Sequence, residues 1–199
     1  MKRAQRLVVS GAAIVALLVG GAAIVGTAPD NDGVLAPFTA DAGVGEPVSS
    51  RTLEVSVDAV RLARTVSATY SLTPVTVTSE GFWVIVDTTV TPIDPQSTLA
   101  YAEIRIGDYR FSMSDLPPAP TLTGYSFGSD VPVRGSLIFE LPASAFELDG
   151  ATDATIAFPA RQTPVLDTVP TVHVDLAALV DDAAESITIE PARTPDAVE

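Results

Sequence analysis

Residues 81–92, GFWVIVDTTVTP, decide the fold class. Phe82, Val84, Val86 and Val90 fall on one side of a two-residue period, with Trp83, Ile85, Asp87 and Thr89 on the other. An amphipathic helix would space its apolar positions three and four apart. This run spaces them two apart and is rich in the β-branched and aromatic side chains that suit a pleated surface. Pro92 ends it, because proline has no N–H to give to a ladder.

The same period recurs on both sides of that stretch. In TLEVSVDAV (52–60), Leu53, Val55 and Val57 oppose Glu54, Ser56 and Asp58. In LAYAEIRIGDYRF (99–111), Ala102, Ile104 and Ile106 oppose Tyr101, Glu103 and Arg105 before a turn at Gly107-Asp108. VRGSLIFELP (133–142) sets Val133, Leu137, Phe139 and Leu141 inward against Arg134, Ser136 and Glu140. Shorter strands are expected at ATIAFP (154–159), TVHVDL (171–176) and SITIEP (186–191), and only LAALVDDAAES (176–186) has helical character. Turn residues interrupt the chain roughly every 8–15 positions and no long helix separates the strands, which predicts an all-β antiparallel sandwich.

Charge divides the chain of 199 residues unevenly. Lys2, Arg3 and Arg6 all precede residue 7, and no acid appears before Asp30. From residue 29 onward there are eight arginines, no lysine and 25 acids, a net charge of 8 − 25 = −17. So acidic a surface repels phosphate backbones and excludes nucleic acid as a partner. The chain has no cysteine, which removes disulfides, thiolate chemistry and Cys-based zinc sites together. No cofactor and no metal is expected.

The basic head MKRAQR is followed by LVVSGAAIVALLVGGAAIV, residues 7–25, which carry no charge. At about 1.5 Å per residue that length approaches the roughly 30 Å of membrane hydrocarbon. Two readings compete. A cleaved signal peptide would use a small-residue site near Gly20-Gly21-Ala22-Ala23, whereas the later candidate Gly26-Thr27-Ala28 is followed by Pro29. The chain reads as the other alternative, an uncleaved signal anchor over 1–28. Either way the positive head stays inside and the remainder lies outside the cytoplasmic membrane. Residues 29–50, rich in Pro, Gly and Asp, read as a flexible linker. The β-sandwich domain is then expected over 51–192 and a disordered tail over 193–199.

The order GFWVIVDTTV, IRIGDYRF, VPVRGSLIFELP resembles the immunoglobulin-like extracytoplasmic domains of Gram-positive bacteria, a family of unknown function built as anchor, linker and sandwich. Its Gly-x-Leu-x-Phe-x-x-Pro pattern matches Gly135, Leu137, Phe139 and Pro142, and the likeness covers roughly residues 45–158. Thr91-Pro92 departs from the Asn that many members carry there, and the segment after residue 160 looks like an added hairpin. The resemblance implies an immunoglobulin-like fold and carries over no catalytic residues, since the family has none established.

One stretch hints at covalent chemistry. GYSFG (124–128) matches the G-x-S-x-G nucleophile elbow, which needs a strand before the Ser and a helix after it. The flanks SDLPPAPTLT and SDVPVRGS supply neither, so Ser126 is expected to be structural. His173 is the only possible base, in the formal order Ser126, Asp149 or Asp153, His173. Asp175, Asp181, Asp182, Glu185 and Glu190 have oxygen ligands suited to calcium but read better as a solvated acidic face. Trp83, Tyr101, Tyr109 and Tyr125 are the candidates for ligand or partner contact, through aromatic faces left open. Arg61, Arg64, Arg105, Arg110 and Arg134 are expected to pair with acids across strands.

Together these features predict a single-pass membrane protein that is not an enzyme. Its extracytoplasmic sandwich would act by protein binding, as an accessory to a membrane complex such as a transporter. A cell-wall or small-ligand binding module is the alternative, and a serine hydrolase acting through Ser126 the remote one.

Overall fold

The computed structural model describes residues 35–70, 72–94, 98–99, 101–117, 121–123, 128, 130–161 and 164–195. Nearly all belong to the second of the chain's two compact units, Met1–Ala36 and Pro37–Glu199. The expected anchor over 1–28, with its span at 7–25, lies outside the described residues. Among the described residues no helix is long and apolar enough to cross a membrane.

The strands in chain order are β1 (Phe38–Gly43), β2 (Pro47–Ser49), β3 (Leu53–Tyr70), β4 (Thr73–Pro92), β5 (Glu103–Ile106), β6 (Tyr109–Ser112), β7 (Val133–Leu141), β8 (Ala154–Ala157), β9 (Thr168–Val174) and β10 (Ala184–Thr188). Three short 3-10 turns, η1 (Ala143–Glu147), η2 (Ala151–Asp153) and η3 (Ala177–Leu179), lie between strands. One sheet has the order β1-β9-β8-β5-β6, the other β10-β3-β4-β7, with β2 also on β3. The inner faces close on one core that includes Val55, Val57 and Leu62 of β3, Phe82, Val84 and Val86 of β4, and Leu137, Phe139 and Leu141 of β7. From the opposite sheet come Ile104, Ile106, Ile156 and Val172. All but Leu62, Ile156 and Val172 are positions that the two-residue period assigns inward, and Leu62 joins them because the register shifts between Val57 and Ala59. The chain is a β-sandwich.

Four expectations change. The sheets are antiparallel inside, but β1 runs parallel to β9 and β10 parallel to β3. Residues 38–43 and 47–49, read as linker, are strands. FTADAG offers only Phe38 and two alanines as apolar positions, so its period is faint, and the ladder to β9 (Phe38↔Thr168 through Gly43↔His173) makes it a strand. The segment after residue 160 is no hairpin, because β9 and β10 belong to different sheets. LAALVDDAA carries the chain between them through η3 and the turn after it. Arg193, assigned to the tail, bridges Arg134 with both backbone bonds at 2.8 Å. Residues 196–199 of that tail lie outside the described residues.

The β3–β4 ribbon is the longest element, and it is kinked. Ala63 pairs with Trp83 and Thr65 with Thr78, so two steps on β3 answer five on β4. Such an excess bends the ribbon sharply. Gly81 permits the close pass, since a Cβ there would come within 2.1 Å of the Leu141 carbonyl oxygen. Arg64 sits at the kink, with its guanidinium 3.8 Å above the Phe82 ring and Nη1 donating to the Gly81 carbonyl at 2.7 Å. Beyond the kink the ribbon and β10 fold back over the outward face of their own sheet. A second apolar cluster records this, joining Ala63, Trp83, Ile85 and Ile138 of that face to Val66, Ala68, Val77, Ile187 and Ile189 of the returning arm.

Candidate functional site

Trp83 lies under that arm. It is 0% exposed, and its indole N–H is buried without a hydrogen-bond partner among the described residues. The expectation of an open stacking face at Trp83 is therefore corrected: β4 is covered on both sides here, and the arm that covers it is brought in by a kink the local pattern does not announce. Tyr101 is half-buried, its hydroxyl 3.3 Å from Glu103 Oε2 and 3.0 Å from Ser112 Oγ. Tyr109 is 58% exposed, just past the Gly107-Asp108 turn. These tyrosines flank opposite ends of β5 in the sheet that does not contain Trp83, so the three aromatic candidates are not brought together. Tyr125 and Ser126 lie outside the described residues.

The structure does join Asp153 to His173, Oδ1 to Nδ1 at 2.8 Å, with Asp41 of β1 at 3.7 Å from Nε2. Both the imidazole and the Asp153 carboxylate are open to water, at 45% and 77% exposed, whereas the orienting acid of a triad is buried. The acidic run disperses: Asp175 caps the η3 turn by accepting from Ala178 N at 2.9 Å, Asp181 and Asp182 sit in an exposed turn, and Glu190 faces Arg193 at 3.6 Å. Among the described residues no group of three His, Asp or Glu side chains gathers to hold a metal.

Four of the five arginines pair with acids: Arg61 with Asp87, Arg110 with Glu103 and Arg134 with Asp58 across strands as expected, and Arg105 with Glu103 along its own strand, β5. Arg64 does not. It serves the kink, where a carbonyl and a ring face take the place of an acid.

Two of these pairs border a cleft of about 310 Å³ between the outward face of β3, β4 and β7 and the chain that follows β10. Arg61, Arg134 and Arg193 all line it, together with Asp87, Ser136, Thr188 and Glu190. The period places Arg61, Asp87, Arg134 and Ser136 on one face, and the Arg134–Arg193 bridge brings the last arginine to it. Arg61 is held in plane, with Nε 2.8 Å from Asp87 Oδ2 and Nη2 2.9 Å from Oδ1, and Ser136 Oγ donates to Oδ1 at 2.8 Å. Arg134 Nε lies 3.2 Å from Asp58 Oδ2, which also accepts from Thr89 Oγ1 at 2.9 Å.

Three of the eight arginines after residue 28 thus meet at one place on a chain of net charge −14. Each guanidinium carries five N–H donors, and the pairings use only one or two of each, so donors remain for a ligand. Their planar fork suits a carboxylate bound through two oxygens. Sequence reasoning expected Arg61 and Arg134 only to pair with acids, and it named none of Arg61, Asp87, Arg134, Ser136 or Arg193 as members of a site. Nothing local links positions 61, 87, 134 and 193.

No family model matches the chain, and no curated protein matches it. Two solved structures are similar to it. An uncharacterized β-sandwich protein from Clostridium difficile 630 aligns over 68% of this chain and 95% of its own, at 12% identity and a TM-score of 0.40. The yjhA protein from Bacillus subtilis aligns over 65% and 98%, at 14% identity and a TM-score of 0.45.

Proposed function

We propose that the chain is a membrane-tethered, extracytoplasmic binding module without catalytic activity, an accessory to a membrane complex. It contacts a protein partner through a carboxylate-bearing surface seated in the Arg61–Arg134–Arg193 cleft. The observation that carries this reading is the convergence of three arginines on one cleft of an otherwise acidic domain, each oriented by an acid yet keeping donors in reserve. The tether is supported by the basic head and the 19 uncharged residues after it, which match a bilayer in length. The immunoglobulin-like family resemblance accords with such a display.

The cleft's polar lining and modest size favour a side chain or chain terminus over a large apolar ligand, since drug-sized pockets run upward from roughly 300 Å³ and are mostly apolar. Calorimetric titration of the full chain in detergent with a Glu-rich blocked hexapeptide and its Gln-rich counterpart tests the reading. Binding of the acidic peptide, weakened at least about tenfold by Arg134→Gln with Arg193→Gln, supports it, that loss being worth about 1.4 kcal/mol. Equal response to both peptides, or ester turnover that Ser126→Ala abolishes, contradicts it.

A further inference from the structure

The kinked arm of β3 and β4 carries an edge that no strand pairs with among the described residues. Residues 65–79, TVSATYSLTPVTVTS, contain no charge, which is the longest such run after residue 28. On one side the arm pairs with β10, Ser186↔Thr65 through Thr188↔Ser67. On the other, β7 pairs with β4 only over Phe82–Val90. Among the described residues no strand pairs with the outer edge of β4 over Thr73–Thr78, and Thr73, Pro74, Thr76 and Thr78 are exposed.

Ser67 gives its carbonyl to Ile189 N at 2.7 Å, on the β10 side. Ser67 stands opposite Thr76. In an antiparallel ladder a residue whose groups turn away from its partner faces one that also turns away. The N–H and C=O of Thr76 therefore point to the open edge, as do those of Thr78 two residues on. Pro74, two residues back on the same alternation, would place its missing N–H on that edge, which is where proline is tolerated.

At the root of this edge lies a groove of about 600 Å³, lined on one side by Thr78, Ser79 and Glu80 and on the other by Glu140, Leu141 and Pro142. Glu80 and Glu140 are both exposed. Neither forms an ion pair among the described residues. An exposed ladder edge that runs into an acidic groove is complementary to an extended segment whose end carries a positive charge.

We propose that the Thr73–Thr78 edge of β4 is a strand-addition site. It takes an extended, uncharged, β-branched segment of a partner protein whose terminal residue is Lys or Arg, seated between Glu80 and Glu140. A second copy of this chain is disfavoured, because its own edge brings no cation to that groove and a pair of six-residue strands buries less than the roughly 1,000 Å² a stable dimer requires. The site is separate from the arginine cleft, and either can fail without the other.

The test uses the full chain in detergent micelles and three labelled, end-blocked hexapeptides that alternate Thr and Val, with Arg, Gln or Glu at one end. Fluorescence anisotropy is expected to give the order Arg, then Gln, then Glu, with at least about tenfold between the extremes. Thr76→Pro, which removes the N–H aimed at the peptide, is expected to abolish binding. In Glu80→Lys with Glu140→Lys the order of the peptides inverts, and this surface change keeps the test decisive if the proline variant misfolds. The proposal is overturned by no binding of any peptide, by binding blind to end charge in both proteins, or by sedimentation showing a dimer that Thr76→Pro dissolves.

Discussion

Asp87 holds Arg61 by two parallel bonds of 2.8 and 2.9 Å, and Ser136 fastens the same carboxylate from the neighbouring strand. The carboxylate is 19% exposed and the guanidinium 43%. This difference makes the pair asymmetric. Loss of the acid strands a hydroxyl and a guanidinium that had oriented on it, whereas loss of the arginine leaves the acid its Ser136 bond and access to water.

Asp87→Ala is therefore expected to lower unfolding stability by about 1–2 kcal/mol. Arg61→Ala should cost less than about 1 kcal/mol, as a half-exposed ion pair does. Chemical denaturation of both variants checks the order, and the reverse order would contradict the network described.

The kink depends on Arg64. Replacement by Met keeps much of the apolar stem but loses the bond to the Gly81 carbonyl and the cation above Phe82. A loss of about 1–2 kcal/mol is expected, drawn from one hydrogen bond to a charged donor and one cation–π contact. Hydrogen exchange should quicken specifically over the arm, residues 65–78, while β7 and β9 keep their protection. Uniform loss of protection would mean the arm does not move as a unit.

Gly81→Ala is a harsher change. Its Cβ would stand 2.1 Å from the Leu141 oxygen and 2.8 Å from Pro142 Cα, both backbone, so β4 and β7 must part. The cost is expected to exceed that of Phe139→Ala, about 3–5 kcal/mol for a fully buried ring. Leu72→Ala, at a residue 95% exposed, should change stability by less than about 0.5 kcal/mol. Thermal melts of the three variants provide the ranking.

Trp83 is the only tryptophan and is 0% exposed, so it reports on the arm. Its emission should be blue-shifted and unaffected by iodide, and addition of soluble wall fragments should leave it unchanged. Arg64→Met should shift it red. Iodide quenching in the unaltered protein would show that the arm does not cover the ring.

The period-two pattern made the core legible. Phe82, Val84, Val86, Leu137 and Phe139 face inward as their spacing requires, because strand alternation is a local property of the backbone. The Gly107-Asp108 turn was legible for the same reason. β1 was not, since Ala40 and Ala42 carry too little apolar signal and a partner more than a hundred residues away makes the strand. Trp83 could be read as a core residue or, with its face open, as a contact, because Asp87 shares its side of β4 with Ile85. What covers it is the far end of the same ribbon, returned by an irregularity at Ser79–Gly81 that no periodicity encodes. The arginine cleft was not legible: the pattern gave Arg61 and Arg134 only acid partners, and nothing local joins them to one another. Arg193 joins it only through long-range pairing at the end of the chain.

The most direct measurement is a crosslinked pull-down of the full-length chain from its native membranes, run beside Arg134→Glu with Arg193→Glu and read by mass spectrometry. The account predicts recovery in the membrane fraction with residues 1–25 intact, together with one reproducible membrane-protein partner that the double variant loses. Recovery of the chain alone, or of a partner held equally well by the double variant, would contradict it.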